Sequence, residues 1–175
     1  MNKRIINSKR DKIYINYIIT GFILIVFVLL IIVENLGSKQ DELLLNDFTM
    51  FEEASALIES GSSTEALQTL ENLNTKYSND FIISHRLGIA YLSTEQYKPA
   101  LTMFTRTLDL NPYLVENTDY LYQYALTLAN NEQFDNSILV IDKLLSYQLE
   151  EELKSKVVKL REEINNLKGS TSWVD

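Results

Sequence analysis

The chain has 175 residues, 46% hydrophobic and 23% charged, with a net charge of −8 and no cysteine. Without cysteine there can be no disulfide, thiolate metal site, thiol nucleophile or lipidated cysteine. At the N-terminus Lys3, Arg4, Lys9, Arg10 and Lys12 face only Asp11, which leaves eleven cations and twenty-three anions, a net −12, for residues 34–175. Such an excess of carboxylates repels phosphate backbones, so no nucleic-acid partner is expected.

The basic segment 1–12 leads into IYINYIITGFILIVFVLLIIV, residues 13–33, which carry no charge. At about 1.5 Å per residue this run is roughly 31 Å long as a helix, matching the hydrocarbon core of a bilayer. Tyr14 and Tyr17 suit the membrane–water interface. The run is longer than the roughly 7–15 apolar residues of a secretory signal. No A-x-A-like site follows Val33, and the small residues of Asn35–Ser38 make only a weak one, so a retained anchor is expected. Five cations precede the run, while Glu34, Asp41 and Glu42 follow it with Lys39 alone opposing them. The positive-inside rule then predicts a single-pass plasma-membrane protein with a cytoplasmic N-terminus and an extracytoplasmic domain.

Residues 34–40 read as a polar linker in which Gly37 ends the membrane helix and Ser38 or Asp41 caps a new one. Beyond it, Leu44, Phe48, Phe51, Ala54 (or Ser55) and Leu57 or Ile58 recur at three- and four-residue steps. Gly61 closes that helix as a left-handed residue would, and Ser62 with Glu65 reads as a capping box for the next. The second helix carries Ala66, Leu70, Leu73 and Tyr77, and Asn79 or Asp80 can cap a third. From His85 the chain runs HRLGIAYLSTEQYKPALTMFTRTLDLNP. Here two amphipathic helices flank a turn at Glu95-Gln96. Gly88 and Ala100 let them approach closely, and Tyr91 and Phe104 fill the space beside them. Pro99 sits harmlessly in a first turn, and Pro112 stops the second helix.

This pattern of Leu87, Gly88, Tyr91, Ala100, Phe104 and Pro112 resembles the tetratricopeptide (TPR) repeat. Ala66 to Ala100 and Leu70 to Phe104 keep its thirty-four-residue period, and Ala54 answers Gly88. Gln133-Phe134 answers Gln96-Tyr97, and Ile138, Ile141 and Leu145 answer Leu101, Phe104 and Leu108 at an offset of thirty-seven. About three extra residues therefore lie between Pro112 and Tyr124, lengthening a loop or a helix. In this register Ala125 takes the place of Gly88, and Ser137 that of Ala100. The resemblance implies an all-α fold: after the apolar helix, a TPR-like α-solenoid occupies 41–168, with helix pairs at 47–80, 81–114 and 115–149. A capping helix at 150–168 follows, with Leu153, Val157, Leu160, Ile164 and Leu167 inward and Glu150–Lys154 and Glu152–Lys156 as stabilising pairs. Gly169 is expected to end it, leaving 169–175 as a polar tail in which Trp173 is either free or tucked against the helices.

His85 is the sole histidine and has no second imidazole or thiolate to share a metal with. There is no G-x-S-x-G, phosphate loop, H-E-x-x-H or EF-hand loop, so neither catalysis, cofactor nor metal is expected. The resemblance implies protein binding instead, in a groove lined by the first helix of each repeat. Carried over by position, the groove residues are Phe48, Phe51, Ser55 and Ile58; then Ile82, His85, Ile89 and Leu92; then Asp119, Tyr122, Leu126 and Ala129. They suit an apolar peptide segment; packing against the neighbouring repeat is an equally weighted use of several of them. A clamp for a C-terminal carboxylate is disfavoured, because Arg86 alone fits and Glu52 has the wrong sign. The expectation is a membrane-anchored scaffold or adaptor, similar in architecture to anchored TPR subunits that accompany bacterial protein-export and envelope-assembly complexes. The alternatives are a structural subunit of a larger membrane complex, or an organelle import receptor facing the cytosol.

Overall fold

The computed structural model describes the backbone of residues 2–171 and the side chains of residues 14, 17–34, 37 and 39–168. The described residues form seven α-helices and no strand: α1 (Asn2–Glu59), α2 (Ser63–Lys76), α3 (Phe81–Ser93), α4 (Tyr97–Leu110), α5 (Thr118–Asn130), α6 (Phe134–Leu145) and α7 (Glu151–Thr171), with a 3-10 turn at Pro112–Glu116. Internal contacts divide the chain into two units, Met1–Phe48 and Thr49–Asp175.

The first unit contains a helix long and apolar enough to cross a membrane, with none of its apolar window buried. Sixteen large apolar side chains between Tyr14 and Val33 are exposed; Phe22 shows 67% of its surface and Val33 65%. At roughly 1.5–3 kcal/mol each, that surface in water would cost tens of kcal/mol, more than the stability of an ordinary domain. The expected break at Asn35–Lys39 does not occur, since helical backbone continues through it and neither Ser38 nor Asp41 is a cap. A single Gly costs a helix only about 1 kcal/mol relative to Ala. Gly37 is followed by good helix formers from Lys39 to Leu45, and the chain's first proline is Pro99. Leu44 and Phe48 are exposed rather than packed.

In the second unit the end of α1 pairs with α2, α3 with α4, and α5 with α6. The small positions all close: Ala54 and Ala125 are buried, and so are Ala66, Ala100 and Ser137. Gly88 occupies the same place in α3, where an added Cβ would lie 3.3 Å from Met103 Cβ and 3.4 Å from the Phe104 ring. Leu70, Phe104 and Ile141 are fully enclosed behind them. One cluster joins Ala54, Ala66, Leu70, Leu87 and Ala90. A second joins Phe104, Tyr120, Ala125 and Ile141 to Val157, Leu160 and Ile164 of α7. The result is an all-helical, repeat-like arrangement of helix pairs.

Each pair turns through the same hydrogen-bonded corner. Ser62 N–H donates to Leu57 C=O at 2.8 Å and Gly61 N–H to Ile58 C=O at 3.1 Å, a Schellman motif with Gly61 at φ 85°. Gln96 and Glu95 repeat it onto Tyr91 and Leu92, and Gln133 and Glu132 onto Leu128 and Ala129. The left-handed residues Gly61, Glu95 and Glu132 thus recur at thirty-four and thirty-seven residues. The motif also overturns the Ser62–Glu65 capping box. Ser62 N–H is already donated to Leu57, and Ser62 makes no side-chain cap. Glutamate is strained where Gly61 is not, so Glu95→Gly and Glu132→Gly are each expected to raise the unfolding free energy by about 0.5–1 kcal/mol. Urea denaturation followed by circular dichroism checks this, with Gly61→Glu expected to shift the midpoint the other way.

The three extra residues lengthen the loop, not a helix. They fall in the connection that holds the five-residue Pro112–Glu116 turn, after which Asn117 caps α5 by accepting Tyr120 N–H at 2.9 Å. Asp80 caps α3, its carboxylate accepting the Ile82 and Ile83 amides. Helix α7 runs past Gly169 to Thr171, so Gly169 does not end it. Its inner row is Val157, Leu160 and Ile164, while Leu167 is exposed. Lys156 pairs with Glu152 as expected, but Lys154 pairs with Glu151 rather than Glu150. Arg161–Asp142 and Lys168–Asp135 tie α7 to α6. Trp173 lies outside the described residues.

Candidate protein-binding surface

The twelve first-helix residues do not share one environment. Phe48 and Ile82 are 60% and 48% exposed, and Asp119 is exposed. Phe51 and Ile58 are half-buried against the first cluster. Ile89, Leu92, Tyr122, Leu126 and Ala129 are half-buried against the second. Ser55 is 6% exposed, and its hydroxyl has no hydrogen-bond partner. It is a packing position, not an open groove contact. Within the second unit the half-buried members thus form a shallow apolar seam over two clusters, and Ile82 is its most exposed apolar residue.

His85 is a wedge rather than a groove residue. Its Nε2 lies 2.9 Å from Gln123 Oε1, so the tautomer protonated on Nε2 donates from α3 to α5. Its ring meets Phe104 edge-on at 5.8 Å and Tyr120 at 5.3 Å. Tyr120 in turn meets Phe104 at 5.8 Å, stacks on Tyr124 at 6.1 Å and donates its hydroxyl to the Phe104 carbonyl. The repeat register did not disclose this aromatic knot. The one signal was the four-residue step from Tyr120 to Tyr124, which places both on one face of α5.

Burial lowers the His85 pKa, Gln123 partly opposes this, and the Arg86 charge adds to the lowering. A depressed folded pKa means that the unfolded state binds the proton better. Stability is then complete above the unfolded value of about 6.5 and falls as pH drops through that range. Wild type is expected to lose more thermal stability than His85→Phe between pH 7 and pH 5. Parallel melting curves in the two buffers measure that difference.

Two ion pairs lie near these residues. Arg86 reaches Glu59 across repeats at 3.4 Å. Lys156 of α7 sits 2.6 Å from Glu152, which raises its pKa, with smaller contributions in the same sense from Tyr122 and Asp119. Helix α7 packs on α6 and touches α5, the first helix of the third repeat. One cavity of about 530 Å³ opens between the turns at Glu95 and Glu132, one of about 460 Å³ lies between α4 and α6, by Leu101, Tyr124 and Leu139, and one of about 470 Å³ follows the connection from Lys76 to Ile82, with Ile82 in its lining. Among the described residues no three His, Asp or Glu side chains converge as a metal site requires.

No family model and no curated protein matches the chain. Among solved structures it is similar to one titled MamA RS-1 ArsTM double mutant, at 18% identity over 67% of this chain and 95% of that one, with a TM-score of 0.37.

Proposed function

We propose that the chain is a single-pass membrane protein whose TPR-like domain binds a protein partner at the membrane surface. In this reading residues 13–33 are the span, the basic N-terminus is cytoplasmic, and the repeat domain is extracytoplasmic. The observation that carries it is the unbroken run of exposed apolar side chains from Phe22 to Val33, in a chain whose second unit buries its own apolar faces. A bilayer is the environment in which such a run is stable. Binding is supported by the half-buried seam of Ile89, Tyr122 and Leu126, whose apolar surface a peptide segment would complete.

The test is affinity purification of the full chain in mild detergent, comparing wild type with Ile89→Glu and Tyr122→Glu. Loss of a specific partner from variants with wild-type circular dichroism supports the seam as the binding surface. Unchanged recovery removes it.

A further inference from the structure

Among the described residues outside the apolar run, exposed large apolar side chains gather at Leu43, Leu44, Leu45 and Phe48 of α1, exposed by 59, 47, 67 and 60%. Elsewhere they are scattered singly, as at Tyr113, Leu139 and Leu167. Leu44 and Phe48 are four residues apart, so they form one row on the helix. Asp41 lies one turn before Leu44 and seven residues before Phe48, and Glu34 lies seven before Asp41, so the face that carries Leu44 and Phe48 is acidic on its N-terminal side. Glu42, exposed like Asp41, widens that acidic side. Between Glu34 and Phe48 there are four carboxylates and a single cation, Lys39.

We infer that this stretch of α1 is a docking surface for a cationic amphipathic helix of another protein in the same membrane, with apolar side chains meeting Leu44 and Phe48 and Lys or Arg meeting Asp41 and Glu42. Charge selects this occupant. A second copy held parallel in the membrane would bring its own acidic side alongside, and anionic lipid would be repelled in the same way. The inference rests on the anchor reading, because a shared membrane is what concentrates a partner beside residues 34–48.

The full chain is reconstituted in phosphatidylcholine nanodiscs, so a failure of anchoring appears as failure to incorporate. A fluorescent amphipathic Leu/Lys peptide is titrated against it, beside a peptide with Gln in place of Lys, and empty discs serve as background. The expected result is roughly tenfold tighter binding of the Leu/Lys peptide at low salt, as several surface ion pairs would give, fading as salt rises. Asp41→Asn with Glu42→Gln should remove that preference, and Leu44→Ser with Phe48→Ser should weaken both peptides. Equal affinity for the two peptides, or equal binding to empty discs, overturns the inference. So does efficient disulfide dimerisation of a Phe48→Cys variant, which would assign the surface to a second copy.

Discussion

Phe104→Ala is expected to destabilise the repeat domain by about 3–5 kcal/mol, a large share of the stability of a domain of this size. Phe104 is fully buried, and its ring is the common neighbour of Gly88, His85 and Tyr120. Truncation leaves a cavity at the junction of the second and third repeats. The surrounding helices cannot easily collapse into it, because the Tyr120 hydroxyl bonds the Phe104 carbonyl and Asn131 Nδ2 bonds the Tyr97 carbonyl at 2.8 Å. Leu139→Ala, at a side chain 67% exposed, should change stability by less than about 0.5 kcal/mol. Urea unfolding of the full chain in detergent, followed at 222 nm, compares the two. A loss of under about 1 kcal/mol for Phe104→Ala would mean that the junction is not packed as described.

The second large effect is expected in the apolar run. Ile23→Arg combined with Phe27→Arg should shift membrane insertion by roughly 5–7 kcal/mol, since each arginine near the centre of a spanning helix costs about 2.5–3.5 kcal/mol. Ile23 and Phe27 are each 61% exposed, so no protein contact in the domain is lost with them. Wild type should remain with membranes through alkaline carbonate extraction, while the double variant should appear in the soluble fraction or be degraded. Retention of the variant in the membrane would show that another part of the chain holds it there.

What was legible in the sequence followed from spacing. Ala54, Gly88 and Ala125, and Ala66, Ala100 and Ser137, occupy equivalent buried places because close helix approach admits only small side chains. The thirty-seven-residue offset located the insertion, although only the backbone showed that its connection holds a 3-10 turn. Punctuation was less legible. Gly37 and Gly169 look like helix ends and are not, because one glycine is a weak breaker when no competing turn or cap follows. Glu95 and Glu132 take the left-handed conformation that Gly61 takes freely, because the corner hydrogen bonds fix the backbone there whatever the side chain. The binding surface was the least legible part. Register assigned His85 and Ser55 to a groove, but Ser55 is buried, and His85 is covered by Tyr120 and Gln123, which lie more than thirty residues downstream.

The central claim is an anchored repeat domain on the outer side of a membrane, and protease shaving of intact cells tests it most directly. A chain tagged at its N-terminus, expressed in a bacterium and treated with protease, should lose residues 49–168 while a tagged fragment of residues 1 to about 40 stays protected until the cells are lysed. A repeat domain that survives until lysis would contradict the account.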